Sequence, residues 1–304
     1  MIKGTVLITG ITGFIGSHIA SMLEEHYPHI AVIGVDRVAK SDKRRFIQID
    51  LLDRESIKSL INDTKPDFVF HMAGVVNSKN WQELYQGNVE STINLLEAVK
   101  EAHFPIRVII PGSAAEYGSV NKSKLPISED QAYNPVSAYG VTKVWQTAVA
   151  IFYAQQGVDV VVGRLFNVIG AGVPESLSLG AFASQLRKIK SREIPPEIRV
   201  GNLKPKRDFL DMRDIYRAFV ALAVAGERGE IYNICSGQSV SMEYILNEMI
   251  EKSGVTATVV VDQSRVNLAD IQDIYGSNGK LCRATTWAQE YTLADSVSTI
   301  VLSL

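Results

Sequence analysis

Three glycines, at positions 10, 13 and 16, stand between the aliphatic run Gly4-Thr-Val-Leu-Ile-Thr9 and an amphipathic stretch that begins at Phe14. No other feature restricts the fold as much. A strand that passes straight into a helix needs a tight turn, which Gly10 permits. Gly13 lets an anion approach the backbone, and Gly16 lets the helix lie close on the strand. The free N–H groups and the dipole at the helix start favour a phosphate there. The G-x-x-G-x-x-G spacing is one residue looser than the commonest dinucleotide fingerprint.

The rest of the first half keeps this rhythm. Strands are expected over 4–9, 30–35, 45–49, 67–71, 106–111 and 158–164, and helices over 14–26, 54–63, 88–102 and 137–156. Such alternation argues for a parallel sheet covered on both faces. The apolar run from Val158 to Val162 fits a strand buried on two faces. The fold class is therefore α/β, with a Rossmann-type doubly wound parallel sheet over residues 1–165. Glycine and proline then punctuate 170–174 and 195–205, and helical patterns follow near 179–190, 212–225, 241–253 and 292–302. Residues 166–304 read as a smaller, mixed α/β substrate domain. A strand–helix–strand pattern in 207–234 suggests that about 207–235 return to the large sheet.

Composition removes several function classes. The chain is 46% hydrophobic and 21% charged, so a packed core is expected rather than disorder. The net charge of −2 gives no basic field for nucleic acid or an anionic membrane. No apolar run approaches the ~18 residues of a membrane span, and no secretory signal precedes the first strand. A cytoplasmic protein is expected. Two cysteines, Cys235 and Cys282, are too few for a disulfide framework, and no Cys/His cluster has metal-ligand spacing.

Twenty residues after Gly16, Asp36 ends the second expected strand. A carboxylate there bonds ribose hydroxyls and repels a 2′-phosphate, which favours NAD. Arg37 beside it suits a phosphate or the adenine face, so the cofactor is NAD or NADP with NAD preferred. Asp50-Leu51 falls where an adenine edge would lie. His71-Met-Ala73-Gly74 ends the fourth strand, where small residues let a cofactor lie near the backbone and His71 reads as a packed strand-end residue.

Of the eleven tyrosines, only Tyr139 has a lysine, Lys143, four residues later. Asn134-Pro135-Val-Ser137 reads as a helix start with Ser137 as cap, so the pair shares one helix face. Free tyrosine, with a pKa of about 10, is a weak base near neutrality. A nearby ammonium and a cationic nicotinamide would pull that value down. Ser113, after the fifth strand, can bond the reacting oxygen.

These motifs together resemble the extended short-chain dehydrogenase/reductases, the nucleotide-sugar epimerases, dehydratases and reductases. The resemblance also covers Tyr117-Gly118, Arg164-Leu-Phe-Asn167 and Arg207-Asp-Phe-Leu-Asp211-Met-Arg-Asp214, and so spans nearly the whole chain. It implies a catalytic Ser113, Tyr139 and Lys143. It implies a cofactor against Gly10, Thr12, Gly13, Phe14, Ile15, Gly16, Asp36, Arg37, Asp50, Leu51, Ala73, Gly74, Asn88, Tyr139, Lys143 and Phe166. Dehydratases of this group carry an acid two places before the tyrosine of the Tyr-Gly segment. Ala115 stands there, and strand alternation would turn Glu116 to the other side unless a local bulge intervened.

The second half most closely resembles the GDP-4-keto-6-deoxy-mannose reductases, through Val200-Gly-Asn202-Leu, Arg207-Asp-Phe, Tyr232-Asn-Ile-Cys235-Ser-Gly237 and Tyr275-Gly-Ser-Asn278. That implies NAD(P)H-dependent reduction of a C4 ketone on a nucleotide-diphosphate sugar, GDP-linked, with Tyr139 as proton donor. Ser113, Ala114, Asn167, Val200, Asn202, Arg207, Arg265 and Asp270 would hold the substrate. Asn267 stands where the family places an arginine three residues before the acid, which departs from the pattern. A nucleotide-sugar 4-epimerase with retained NAD is the alternative, and a non-catalytic dinucleotide sensor a remote one. The family's helix pairing implies a homodimer through 88–102 and 137–156.

Overall fold

The computed structural model describes residues 2–38, 45–265 and 271–302. Its first half supplies β1 (Thr5–Thr9), β2 (Ala31–Asp36), β3 (Arg45–Gln48), β4 (Phe68–His71), β5 (Arg107–Ser113) and β6 (Asp159–Leu165), joined by α1 (Phe14–His26), α2 (Arg54–Thr64), α3 (Trp81–Tyr85), α4 (Ser91–Glu101) and α5 (Ala138–Gln155). The second half supplies β7 (Asn167–Ile169), β8 (Glu197–Val200), β9 (Lys206–Arg207), β10 (Phe209–Asp211), β11 (Ile231–Ile234), β12 (Val240–Ser241), β13 (Thr258–Val261) and β14 (Asp273–Ile274), with α6 (Ser178–Lys190), α7 (Met212–Ala225), α8 (Met242–Ser253), α9 (Gly279–Ala284) and α10 (Leu293–Leu302).

The main sheet has seven strands in the order β11-β6-β5-β4-β1-β2-β3, and each neighbouring pair is parallel. Successive side chains on a strand point to opposite faces. Val6 and Ile8 accordingly pack with Ile19, Leu23, Ile215 and Phe219 of α1 and α7. Leu7 packs on the other side with Ile57, Ile61, Leu95 and Ala150 of α2, α4 and α5. Each such aliphatic side chain removed from water contributes about 1.5–3 kcal/mol, and β1 contributes to both layers. The order turns back between β1 and β4, which opens a crevice at the carboxyl edge.

The second half forms a core of its own from Leu179, Phe182, Leu186, Ile198, Met242, Ile245 and Val297, on α6, β8, α8 and α10. The pairs β10–β7 and β13–β8 and the trio β12–β9–β14 complete it.

The strands of the main sheet fall within a residue or two of the sequence expectation. The expected helix over 88–102 differs. A π-helical turn, Gln86–Glu90, separates α3 from α4. This wider turn carries Asn88 inward, where its amide bonds Val75 and Thr142.

Candidate active site

The turn between β1 and α1 is built as its glycines require. Gly10 has φ +66°, and a Cβ on it would lie 2.6 Å from the Ala73 backbone. A Cβ on Gly16 would lie 2.3 Å from the Gly10 carbonyl oxygen. Gly13, between them, is exposed at the surface of the turn. No side chain caps α1, whereas Asp53, Ser137, Asp211 and Ser241 cap α2, α5, α7 and α8. The α1 N-terminus, with Phe14 and Ile15 in its first turn, thus offers donors that suit a pyrophosphate.

Asp36 faces this turn. Its Oδ2 accepts from the Thr12 hydroxyl at 2.6 Å and the Thr12 amide at 3.1 Å. Its Oδ1 accepts from the Arg37 amide at 2.8 Å. Arg37 itself is exposed. The carboxylate therefore ties the end of β2 to the glycine turn. Asp50 accepts from the Leu52 amide at 3.0 Å, and the Leu51 carbonyl accepts from Asn94 at 3.0 Å, which fixes the loop after β3.

Beyond β4, the Ala73 amide donates to Thr9 at 3.3 Å, and Gly74 lies against the Asn88 side chain. His71 is fully buried between Thr9 and Thr92, at 2.8 and 3.0 Å. Burial, with the Lys143 charge nearby, pushes its pKa down to about 3. It is a neutral strand-end residue, as its position suggested.

Ser137 caps α5 by accepting from the Gly140 amide at 3.0 Å, which starts the helix just before Tyr139. The Ser113 side chain lies beside Tyr139 and favours its phenolate, and its hydroxyl accepts from the Ala115 amide at 3.2 Å. Lys143 donates to the Pro111 carbonyl at 2.6 Å and to Gln146 Oε1. The structure thus brings Ser113, Tyr139 and Lys143 to the end of β5.

Within the protein alone, the surroundings of Tyr139 raise its pKa. Burial, aided by the Glu116 charge, pushes Tyr139 up to about 12, and Ser113 offsets this only in part. Burial also lowers Lys143 to about 8, against a raising effect of Glu116. The ammonium expected to acidify the phenol is itself desolvated, so within the protein alone Tyr139 keeps its proton at neutral pH.

Glu116 accounts for the second electrostatic feature. Residues 114–116 form a single 3-10 turn capped by Ser113, not a continued strand. Glu116 folds back inside, where Oε1 accepts from the Ser113 amide at 2.7 Å. Its Oε2 meets Arg164 at 2.8 Å and the Thr147 hydroxyl at 3.0 Å. Arg164 also donates to Tyr117 and Tyr133. Ala114 and Phe166 share a buried cluster with Tyr117 and Cys235.

The remaining expected substrate residues lie in the second half. Asn167 on β7 donates to the Asp208 carbonyl at 3.1 Å. Asp208 is buried and accepts from Ser236, Gly237 and Gly276, so it organises loops and does not form a surface pair with Arg207. Arg207 donates to the Ile271 carbonyl at 2.6 Å. Val200 is buried on β8, Asn202 accepts from the Lys204 amide at 3.1 Å, and Arg265 reaches the Arg199 carbonyl and Asp262. Asp270 and Asn267 lie outside the described residues. Sequence reading missed Gln146 and Thr92. The available signal was helical spacing, since Gln146 stands three residues beyond Lys143.

A family model described as the NAD dependent epimerase/dehydratase family matches residues 6–235. The chain belongs to that family. It is an NAD(P)-dependent enzyme of the nucleotide-sugar epimerase and reductase kind. It is similar to GDP-6-deoxy-D-mannose reductase of Pseudomonas aeruginosa, 29% identical over 97% of this chain and 95% of that protein. It is also similar to dTDP-6-deoxy-L-talose 4-dehydrogenase (NAD(P)(+)) of Kitasatospora kifunensis, 28% identical over 84% of this chain and 80% of that one. The solved structure of RMD from P. aeruginosa complexed with NADPH superimposes with a TM-score of 0.88 at 28% identity, over 99% of this chain and 97% of that one. The NAD complex of Thermus thermophilus UDP-glucose 4-epimerase shares the fold, with a TM-score of 0.84 at 22% identity, over 98% of each chain.

Proposed function

We propose that this enzyme reduces the C4 ketone of a nucleotide-linked 4-keto-6-deoxyhexose, with GDP as the nucleotide, using NADH or NADPH. The reading rests on one observation: Tyr139 is a partly buried phenol beside Ser113 whose surroundings raise its pKa to about 12, while the carboxylate of Glu116 is engaged by Arg164. A protonated tyrosine suits donation to a ketone oxygen. No acid stands at Ala114 or Ala115 to assist loss of water from the sugar. The likeness to a GDP-6-deoxy-D-mannose reductase supports the choice of sugar and base.

A bound reduced nicotinamide dinucleotide would supply the hydride to C4 of the sugar. Ser113 would hold the carbonyl oxygen, Tyr139 would give it a proton, and Lys143 would hydrogen-bond the nicotinamide ribose while its charge stabilises the tyrosinate left behind until a solvent proton restores it. Gly10, Gly13 and Gly16 would carry the pyrophosphate, and Asp36 the adenine-side ribose, with NAD preferred. Arg207 and Asn167 would meet the sugar diphosphate. Val200 and Asn202 would line the base, with Arg265 a further phosphate contact and Asp270 a partner for the ribose.

The test is NADH or NADPH oxidation, followed at 340 nm, on mixing with GDP-linked and dTDP-linked 4-keto-6-deoxyhexoses. Stoichiometric oxidation supports the reading. Absence of oxidation with every such sugar refutes it, and interconversion of C4 epimers without added cofactor would mark a 4-epimerase.

We further propose a homodimer through α3, α4 and α5. The support is an exposed aromatic face: Trp81, Tyr85, Trp145 and Phe152 all meet solvent, with the Trp81 and Trp145 rings 6.3 Å apart.

A further inference from the structure

Lys143 belongs to a buried polar chain that its sequence motif does not include. Gln146 Oε1 accepts from the lysine nitrogen. Gln146 Nε2 donates to the Thr92 hydroxyl at 2.8 Å, and Thr92 donates onward to the Asn88 carbonyl at 2.8 Å. Thr92 also meets His71, which meets Thr9. Thr9, His71, Thr92, Lys143 and Gln146 are all buried.

The orientation of Gln146 follows from its neighbours. An ammonium can only donate, so the amide oxygen must face Lys143 and the NH2 must face Thr92. Of the three ammonium hydrogens, Pro111 and Gln146 take two. The third remains for the reacting partners. Gln146 is also neutral where a carboxylate would fit, and a carboxylate there would pair directly with Lys143 in a low-dielectric setting.

We propose that Gln146 is a positioning residue for the catalytic lysine: it aims the Lys143 nitrogen by taking one of its N–H groups and leaves its charge uncompensated. The proposal rests on the reading of Lys143 as catalytic. The titratable and charged groups around that lysine are His71 from β4, Glu116 from the turn after β5, with Arg164 of β6 beyond it, and Tyr139 from its own helix. His71 is neutral, and Glu116 is bonded to Arg164. Gln146 is thus the contacting side chain whose charge can be changed without breaking an ion pair. The low proton affinity of Lys143, at about 8, agrees with this arrangement.

The test uses the full chain and the variants Gln146→Glu and Gln146→Leu. NADPH binding, read by its fluorescence from pH 6 to 10 without any sugar, and sugar-dependent NADPH oxidation are both measured. The wild-type protein is expected to show an inflection near pH 8. Gln146→Glu is expected to move it up by at least about one pH unit, a tenfold change in proton affinity. Gln146→Leu is expected to lower kcat at least tenfold with little change in KM. An unmoved inflection in folded Gln146→Glu, or a kcat within twofold of wild type in Gln146→Leu, overturns the proposal. A wild-type protein that binds NADPH but oxidises none with 4-keto sugars defeats the reductase reading while leaving the binding arm in force.

Discussion

The Glu116 carboxylate lies 2.8 Å from the Arg164 guanidinium, and neither side chain meets solvent. Removing one member of a buried pair strands the other charge, at a cost of about 3–5 kcal/mol. Arg164→Met is therefore expected to lower the unfolding free energy by about that amount. Adding Glu116→Gln removes the stranded charge and is expected to recover most of it. Urea unfolding of the four proteins measures the cycle. Strict additivity of the two substitutions would show that the pair is not coupled.

Tyr139→Phe removes the hydroxyl that the proposed reduction uses to protonate the ketone oxygen, with little change of shape. Turnover is expected to fall by about 10²–10⁴, with the affinity for NADPH held within a few fold. Steady-state rates and a fluorescence titration of the cofactor check this together. An active Phe variant would remove Tyr139 from the chemistry.

His71 makes stability depend on acid. Its pKa is depressed to about 3 from an ordinary 6.5, so between those values the unfolded chain binds the proton that the folded chain refuses. The stability contributed is fully present above pH 6.5 and is lost as pH falls toward 3. The slope from this one group is about 1.4 kcal/mol per pH unit. Unfolding free energies from urea titrations between about pH 6 and pH 4 should carry that slope from this group, and His71→Gln should lose that part of it.

Asp36 braces Thr12, and as the proposed ribose ligand it would repel a 2′-phosphate. Asp36→Ser is expected to shift the NADH-to-NADPH ratio of kcat/KM toward NADPH by about tenfold or more, since a like-charge repulsion is removed. It should also weaken NADH, because the Thr12 bonds go with the carboxylate. An unchanged ratio would place cofactor choice elsewhere, with Arg37 the next position to change.

Trp145→Glu sets a charge into the exposed aromatic face of α5. Sedimentation at micromolar concentration is expected to show a dimer for the wild type and a monomer for the variant. A wild-type monomer would end the dimer proposal.

Periodicity made the strands and most helices of the first half legible, because Val, Ile and Leu on doubly covered strands leave near-continuous apolar runs. Tyr139, Lys143 and the Ser137 cap were legible from spacing along one helix. Glu116 was half legible: strand alternation was expected to turn it to the other side from an acid at position 115, whereas a 3-10 turn folds it back onto Arg164. The acidity of Tyr139 was not legible at all. It depends on burial and on Glu116, and a motif shows only the lysine. The break at Gln86–Glu90 escaped because it answers to Val75 and Thr142, which the chain brings there from far away. Gln146 escaped for the same reason, since its role is set by Thr92 on another helix.

The position of β11 has a consequence for synthesis on the ribosome. β6 ends at Leu165, and its outer neighbour in the sheet begins only at Ile231. Elongation at about 5–20 residues per second leaves that flank of the nascent sheet uncovered for roughly 3–13 seconds. Val162, Gly163, Arg164 and Leu165 lie along it, an open strand edge of the kind that pairs with other chains. Yield of the folded enzyme should therefore respond to translation speed between codons 165 and 234, and to any chaperone that shields a strand edge during that interval.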